Sequence, residues 1–124
     1  MEDFLNFEEK RKVPRFKLSI PVEYKKLRES PERLKGTIAK DLSAGGVRFI
    51  TDEFMALTAR LVLDIALPIP QRPVSAVAKI AWIRKLPAGD KYEVGNQFLE
   101  ISKDDKNRLS GYLDGLTNPA TPAI

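Results

Sequence analysis

Between residues 74 and 86 the chain alternates with a period of two. Val77, Lys79, Ala81, Ile83 and Lys85 fall on one side, and Ala76, Ala78, Ile80, Trp82 and Arg84 on the other. Successive side chains on a strand point to opposite faces, whereas a helix repeats every 3.6 residues, so this stretch reads as a long strand. The side rich in Ala and Ile is expected to face the core, with Trp82 as a core aromatic and not a stacking platform for a base.

Shorter stretches repeat the theme. Residues 16 to 24 alternate apolar and polar, with Pro21 marking a free edge or a bulge. Residues 36 to 42 and 47 to 51 flank a glycine turn as antiparallel partners, and 61 to 67 and 92 to 101 complete the set. Pro68, Pro70 and Pro73 deny regular structure to the connection they occupy. Residues 25 to 34 read as a polar turn, and Pro87-Ala88-Gly89-Asp90 as another. Six strands joined by short turns predict an all-β chain, a six-stranded antiparallel β-barrel. Ser102 followed by Asp104 and Asp105 then reads as an N-cap with acids in the first turn. Leu109, Tyr112, Leu113 and Leu116 repeat at helical spacing, so a C-terminal α-helix is expected to pack on the barrel.

A length of 124 residues is one domain's worth. The predicted organisation is an N-terminal extension over 1–8, a barrel domain with its helix over 9–116, and a disordered tail over 117–124. Phe4, Leu5 and Phe7 in the extension suit either a short helix or a loose segment that docks its aromatics. The absence of cysteine and of any long apolar run excludes disulfides, thiolate metal sites and helical membrane spans. With no histidine either, the commonest general base and the commonest reactive nucleophile are both missing, which argues against an enzyme. The acidic start is unlike a signal peptide, and a cytoplasmic location is expected.

Two stretches carry chemistry. The first is a basic arm in which Lys10, Arg11, Lys12, Arg15 and Lys17 occur with no acid among them. Each Arg is a planar fork able to grip a phosphate or the O6/N7 edge of a guanine. Pro14 disfavours a helix there, and in an extended arm the Arg11 and Arg15 α-carbons lie roughly 13 Å apart. The second is Asp41-Leu42-Ser43-Ala44-Gly45-Gly46. Strand alternation puts Asp41 and Ser43 on one side, as acceptor and hydroxyl, with Leu42 in the core. Gly45 and Gly46 permit positive φ and close approach of a ligand to backbone N–H groups. In a shuffled chain of this composition the Arg spacing recurs about 0.6 times, but an Asp or Asn followed by Ser and Gly at this spacing only about 0.03 times, so the second motif carries the signal.

These two motifs in this order, followed by YEVGNQFLEIS, resemble the PilZ domain, a bacterial receptor module for cyclic di-GMP, over about residues 9 to 116. The resemblance implies that Arg11 and Arg15 contact phosphates and guanine edges. It implies that Asp41 and Ser43 meet a guanine, with Gly46 closing the turn beside Gly45. Lys10 and Lys12 flank the first motif Arg. Lys10 stands at a position that varies in the family, so ligand stoichiometry stays open. Gly95 matches a glycine that often precedes a closing barrel strand. The expected function is a non-enzymatic cyclic di-GMP receptor, without a cofactor, whose arm changes conformation on binding to regulate an unidentified protein partner; motility, biofilm or exopolysaccharide outputs are implied by the family. Two other readings are an oligonucleotide-binding barrel and a PilZ-type adaptor that binds protein alone.

Overall fold

The computed structural model describes residues 15–28, 34–69 and 72–117. Strands β1 (Phe16–Lys26), β2 (Lys35–Ser43), β3 (Gly46–Thr51), β4 (Arg60–Ile65), β5 (Val74–Lys85) and β6 (Tyr92–Ile101) precede helix α1 (Lys103–Thr117). The strands close into an antiparallel barrel in the order β1-β2-β3-β6-β5-β4, with β4 returning to β1. This is the expected fold class. The helix takes in Thr117, one residue of the expected tail; the rest of that tail, the 1–8 extension and Lys10, Arg11 and Lys12 lie outside the described residues. Among the described residues no helix is long and apolar enough to cross a membrane.

Alternation builds the core. Ile20, Val22 and Tyr24 of β1 point inward with Leu61, Leu63 and Ile65 of β4, and Val47 and Phe49 of β3 meet them. Tyr24 stacks on Phe49 with ring centroids 5.0 Å apart, and its hydroxyl is satisfied by Thr51 Oγ1 at 2.6 Å. Closure leaves β1 without a free edge. Pro21 lies beside a register shift between Lys17 and Ile20, and its carbonyl accepts the N–H of Ala66. A proline is tolerated there because the ladder is already irregular.

The long strand departs from the reading of its sequence. Ile80 pairs with Asn96 and Trp82 with Gly95, so Ala81 is an extra residue. A one-residue bulge exchanges the two faces of everything beyond it. Ala76, Ala78 and Ile80 are buried as expected, but beyond the bulge Ile83 packs against the core and Trp82 stands outward, 38% exposed. Trp82 is therefore not a core aromatic.

The helix starts as its cap predicts, with Ser102 Oγ accepting the Asp105 N–H at 3.1 Å. Leu109 and Leu113 enter the core, while Tyr112 and Leu116 pack at its margin. Asp105 does more than suit a helix start. It is buried against β5, where it accepts the Ser75 N–H at 3.1 Å and bonds from Arg72 (2.8 Å) and Arg108.

Candidate functional site

The β2–β3 hairpin is the tightest turn of the barrel. Ser43 pairs with Gly46 across a two-residue turn. The Ser43 hydroxyl oxygen accepts the N–H groups of Gly45 (3.1 Å) and Gly46 (3.2 Å), tying the turn from inside. Short polar side chains favour turns for this reason: they satisfy backbone donors that no strand partner reaches. The glycines are not used for positive φ, since among the described glycines only Gly89 has it. Gly46 is required by space, because a β-carbon there would stand 2.1 Å from the Asn96 carbonyl oxygen on β6.

A cavity of about 410 Å³ opens beside this turn, lined by Arg15, Asp41, Ser43, Gly45, Gly46, Arg48, Trp82 and residues 95–97 of β6. Pairing aligns its floor. Asp41 stands opposite Arg48, Arg48 opposite Gly95, and Gly95 opposite Trp82. Gly95 lies within β6 and does not precede it. A β-carbon at Gly95 would meet the Trp82 indole nitrogen at 2.2 Å, so the missing side chain is what lets the indole lie against the strand.

The electrostatics centre on Arg48. Its Nε donates to Asp41 Oδ2 at 3.0 Å and its Nη1 donates to Glu93 Oε2, while Arg84 Nη2 donates to Glu93 Oε1. Burial opposes charge on Arg48, but Asp41 and Glu93 outweigh it and raise its pKa further. Arg84, and then Arg48, hold the Glu93 carboxyl below its ordinary range against the effect of burial. A carboxylate and guanidinium thus alternate across four strands. Lys17 also faces Asp41, from the β1 side, but no ion pair joins them among the described residues.

Of the residues singled out in the sequence, Arg15, Asp41, Ser43, Gly45 and Gly46 border this one cavity. No motif marks Arg48 or Glu93, and Trp82, expected in the core, stands outward here. Arg48 is within reach of the sequence. A two-residue turn between Ser43 and Gly46 fixes the register, and the same register sets Asp41 opposite Arg48. Glu93 had no such signal, because β3 meets β6 only through barrel closure.

Fold and cavity together define a small closed barrel with an open, charge-lined recess at the mouth of a serine-tied hairpin. The family model described as PilZ domain matches residues 9–115, and the chain belongs to that family. No individual curated protein matches it. Among solved structures it is similar to the inhibitor of motility MotI/DgrA of Bacillus subtilis, with TM-score 0.69 and 23% identity over 87% of this chain and 52% of that one. It is similar to the K. pneumonia MrkH–c-di-GMP complex, with TM-score 0.67 and 20% identity over 92% of this chain and 55% of that one. The PilZ domain of YcgR from Escherichia coli with c-di-GMP gives TM-score 0.65 and 17% identity over 89% of this chain and 93% of that one. The chain spans about half the length of MotI and MrkH.

Proposed function

We propose that the chain is a receptor for cyclic di-GMP and that its output is carried by the basic arm. The observation that carries this reading is the convergence of Arg15, Asp41, Ser43 and Gly46 on one cavity. Membership of the PilZ family supports it, as do the cyclic di-GMP complexes of MrkH and of the YcgR PilZ domain.

Each lining group has a task. Arg15 is exposed at the entrance to β1, free to fold over a phosphate or a guanine edge, and Arg11 four residues earlier supplies the second fork. Lys10 and Lys12 add attraction for the ligand's two negative charges. Asp41 accepts the adjacent N1–H and N2–H donors that guanine presents side by side. Ser43 Oγ accepts within the turn and donates only a long bond, 3.5 Å, to the Gly46 carbonyl, a bond that an acceptor on the ligand can replace. Trp82 offers an indole face to a base across the cavity. A volume of about 410 Å³ is within the range of small-molecule sites and suits a partly embedded dinucleotide. The cationic arm lacks an internal counter-charge, and the bound anion brings its two forks together. That closure changes the surface shown to a protein partner.

Calorimetric titration with cyclic di-GMP, GMP and a short oligonucleotide, side by side, tests the reading. Micromolar or tighter binding of cyclic di-GMP is expected, with GMP far weaker and the oligonucleotide weaker still. Equal affinity for the two guanine nucleotides, or tightest binding of the oligonucleotide, overturns it. Amide exchange across residues 8 to 15 should slow on binding. Unchanged exchange there refutes the arm as the output.

A further inference from the structure

We infer that the acidic and apolar stretch over residues 2–9 docks in a basic groove at the far end of the barrel, latching the arm across the occupied cavity. The inference rests on the cyclic di-GMP reading and concerns what holds the arm closed.

The groove, about 620 Å³, lies where β1 ends and β4 begins, lined by Lys26, Leu27, Arg28, Thr58, Ala59 and Arg60. Leu27 is 45% exposed, and Leu57, next to Thr58 in the chain, is 56% exposed, an apolar surface left to water. Lys26 is held by Glu53 at 2.7 Å. Arg28 and Arg60 have no acidic partner among the described residues, and no acid lines the groove. The occupant that suits it carries carboxylates and bulky apolar side chains together. Residues 2–9 hold Glu2, Asp3, Glu8 and Glu9 with Phe4, Leu5 and Phe7, and no cation. Being tethered to the same barrel, this segment meets the groove at a far higher effective concentration than a second copy does.

The register of the barrel leads from arm to groove. Phe16 pairs with Leu42, which sets Arg15 beside Ser43. Ser43 pairs with Gly46, Gly46 with Gln97, Gln97 with Lys79, and Lys79 with Arg60. From β1 to β4 this row crosses the cavity wall and five strand spacings, about 24 Å at the backbone. Eight extended residues span about 26 Å, so an arm leaving Arg15 along the row lays Arg11 over the cavity, Glu9 near Lys79 and Phe7 at Arg60. Leu5 and Phe4 then meet Leu27 and Leu57, and Asp3 and Glu2 meet Arg28. Lys79, half-buried, likewise has no acidic partner among the described residues. The bound anion neutralises the cations of the arm where they cross the cavity, so docking and nucleotide binding strengthen each other.

The chain has no cysteine, so an introduced pair reports this contact alone. Asn6→Cys with Leu27→Cys keeps every apolar anchor of the extension. Under mild oxidation with cyclic di-GMP it should close a disulfide within the chain at least about tenfold faster than without the nucleotide. It should exceed by as much the pair Asn6→Cys with Ile38→Cys, whose exposed β2 site lies five residues from Ser43 and off the row. Equal rates for the two pairs, or a disulfide between chains in place of one within a chain, overturn the inference. In the cysteine-free chain, Arg28→Glu with Arg60→Glu should weaken cyclic di-GMP binding about three- to tenfold, the worth of two exposed ion pairs. In a background of Phe4→Ser, Leu5→Ser and Phe7→Ser the same reversals should change nothing further, whereas a direct electrostatic effect on the nucleotide persists there and overturns the inference. Undiminished affinity in the Arg28→Glu, Arg60→Glu variant also overturns it and leaves the receptor reading standing. Failure of the native chain to bind cyclic di-GMP overturns both.

Discussion

Asp105 is where the helix is fastened to the barrel, and Asp105→Ala removes that fastening without touching the apolar contacts. Three donors lose their acceptor: the Ser75 N–H, Arg72 and Arg108. Arg72 is 59% exposed and returns to water at little cost. Arg108 is 13% exposed and keeps its bonds to the Arg72 and Pro73 carbonyls, so its loss is one charge-assisted bond, about 1.5 kcal/mol. The Ser75 N–H is left in a partly buried position, for about another 1.5 kcal/mol. Leu109 and Leu113 still seat α1, so the variant folds, about 3 kcal/mol less stable. Urea unfolding at pH 7 reads this as a lower midpoint at unchanged slope. Asp104→Ala, at a position 71% exposed, is the control and should cost under about 0.5 kcal/mol. Acid supplies a second check. Burial alone raises the Asp105 carboxyl, but the Ser75 N–H, Arg108 and Arg72 outweigh it and hold it low. A depressed native value stabilises the fold above the unfolded value near about 4, and that contribution is lost as pH falls through the native one. The gap between wild type and Asp105→Ala should accordingly narrow below about pH 4. A loss under about 1 kcal/mol at pH 7, or a gap that widens in acid, refutes this account of the fastening.

Three further outcomes follow from positions already described. Gly46→Ala places a β-carbon 2.1 Å from the Asn96 carbonyl oxygen, a backbone atom of β6 that cannot swing aside, and should cost about 2 kcal/mol in urea unfolding; an unchanged midpoint counts against the close approach of β3 and β6. Arg15→Ala should weaken cyclic di-GMP binding by roughly ten- to a hundredfold in calorimetry with the melting temperature unmoved, since the residue is exposed ahead of β1; a collapsed far-ultraviolet spectrum would make it structural. Thr58 sits at φ 67°, a conformation costly for a β-branched residue, and its N–H is held by the Ile80 carbonyl at 2.8 Å. Thr58→Gly should raise stability by about 0.5–1 kcal/mol after the loss of chain stiffness, and a lower melting temperature would show that the strain is absent.

Local pattern and barrel closure divide what the sequence made legible. The strands of β4 and β6, the Ser102 cap and the Leu109–Leu113 face were all readable, because each depends on neighbours within a turn or two along the chain. The side on which Trp82 falls is not legible, because alternation carries its parity forward only while the ladder is unbroken, and nothing in Ile80-Ala81-Trp82 announces the extra residue. The bulge is set by what β6 offers, a bare Gly95 opposite the indole. Arg48 was hidden in plain order, since the hairpin register that brings it to Asp41 follows from the turn length. Glu93 depended on β3 and β6 becoming neighbours, a pairing between residues far apart in the chain that no window along it displays.

Trp82 is the one tryptophan in the chain, and it stands half in water against Gly95 at the rim of the cavity. Indole emission shifts in colour and intensity with the polarity around the ring, so all of this chain's tryptophan fluorescence comes from the wall a nucleotide would touch. The barrel carries its own optical probe. Occupancy and its kinetics can be followed in the unlabelled protein, at concentrations where calorimetry fails.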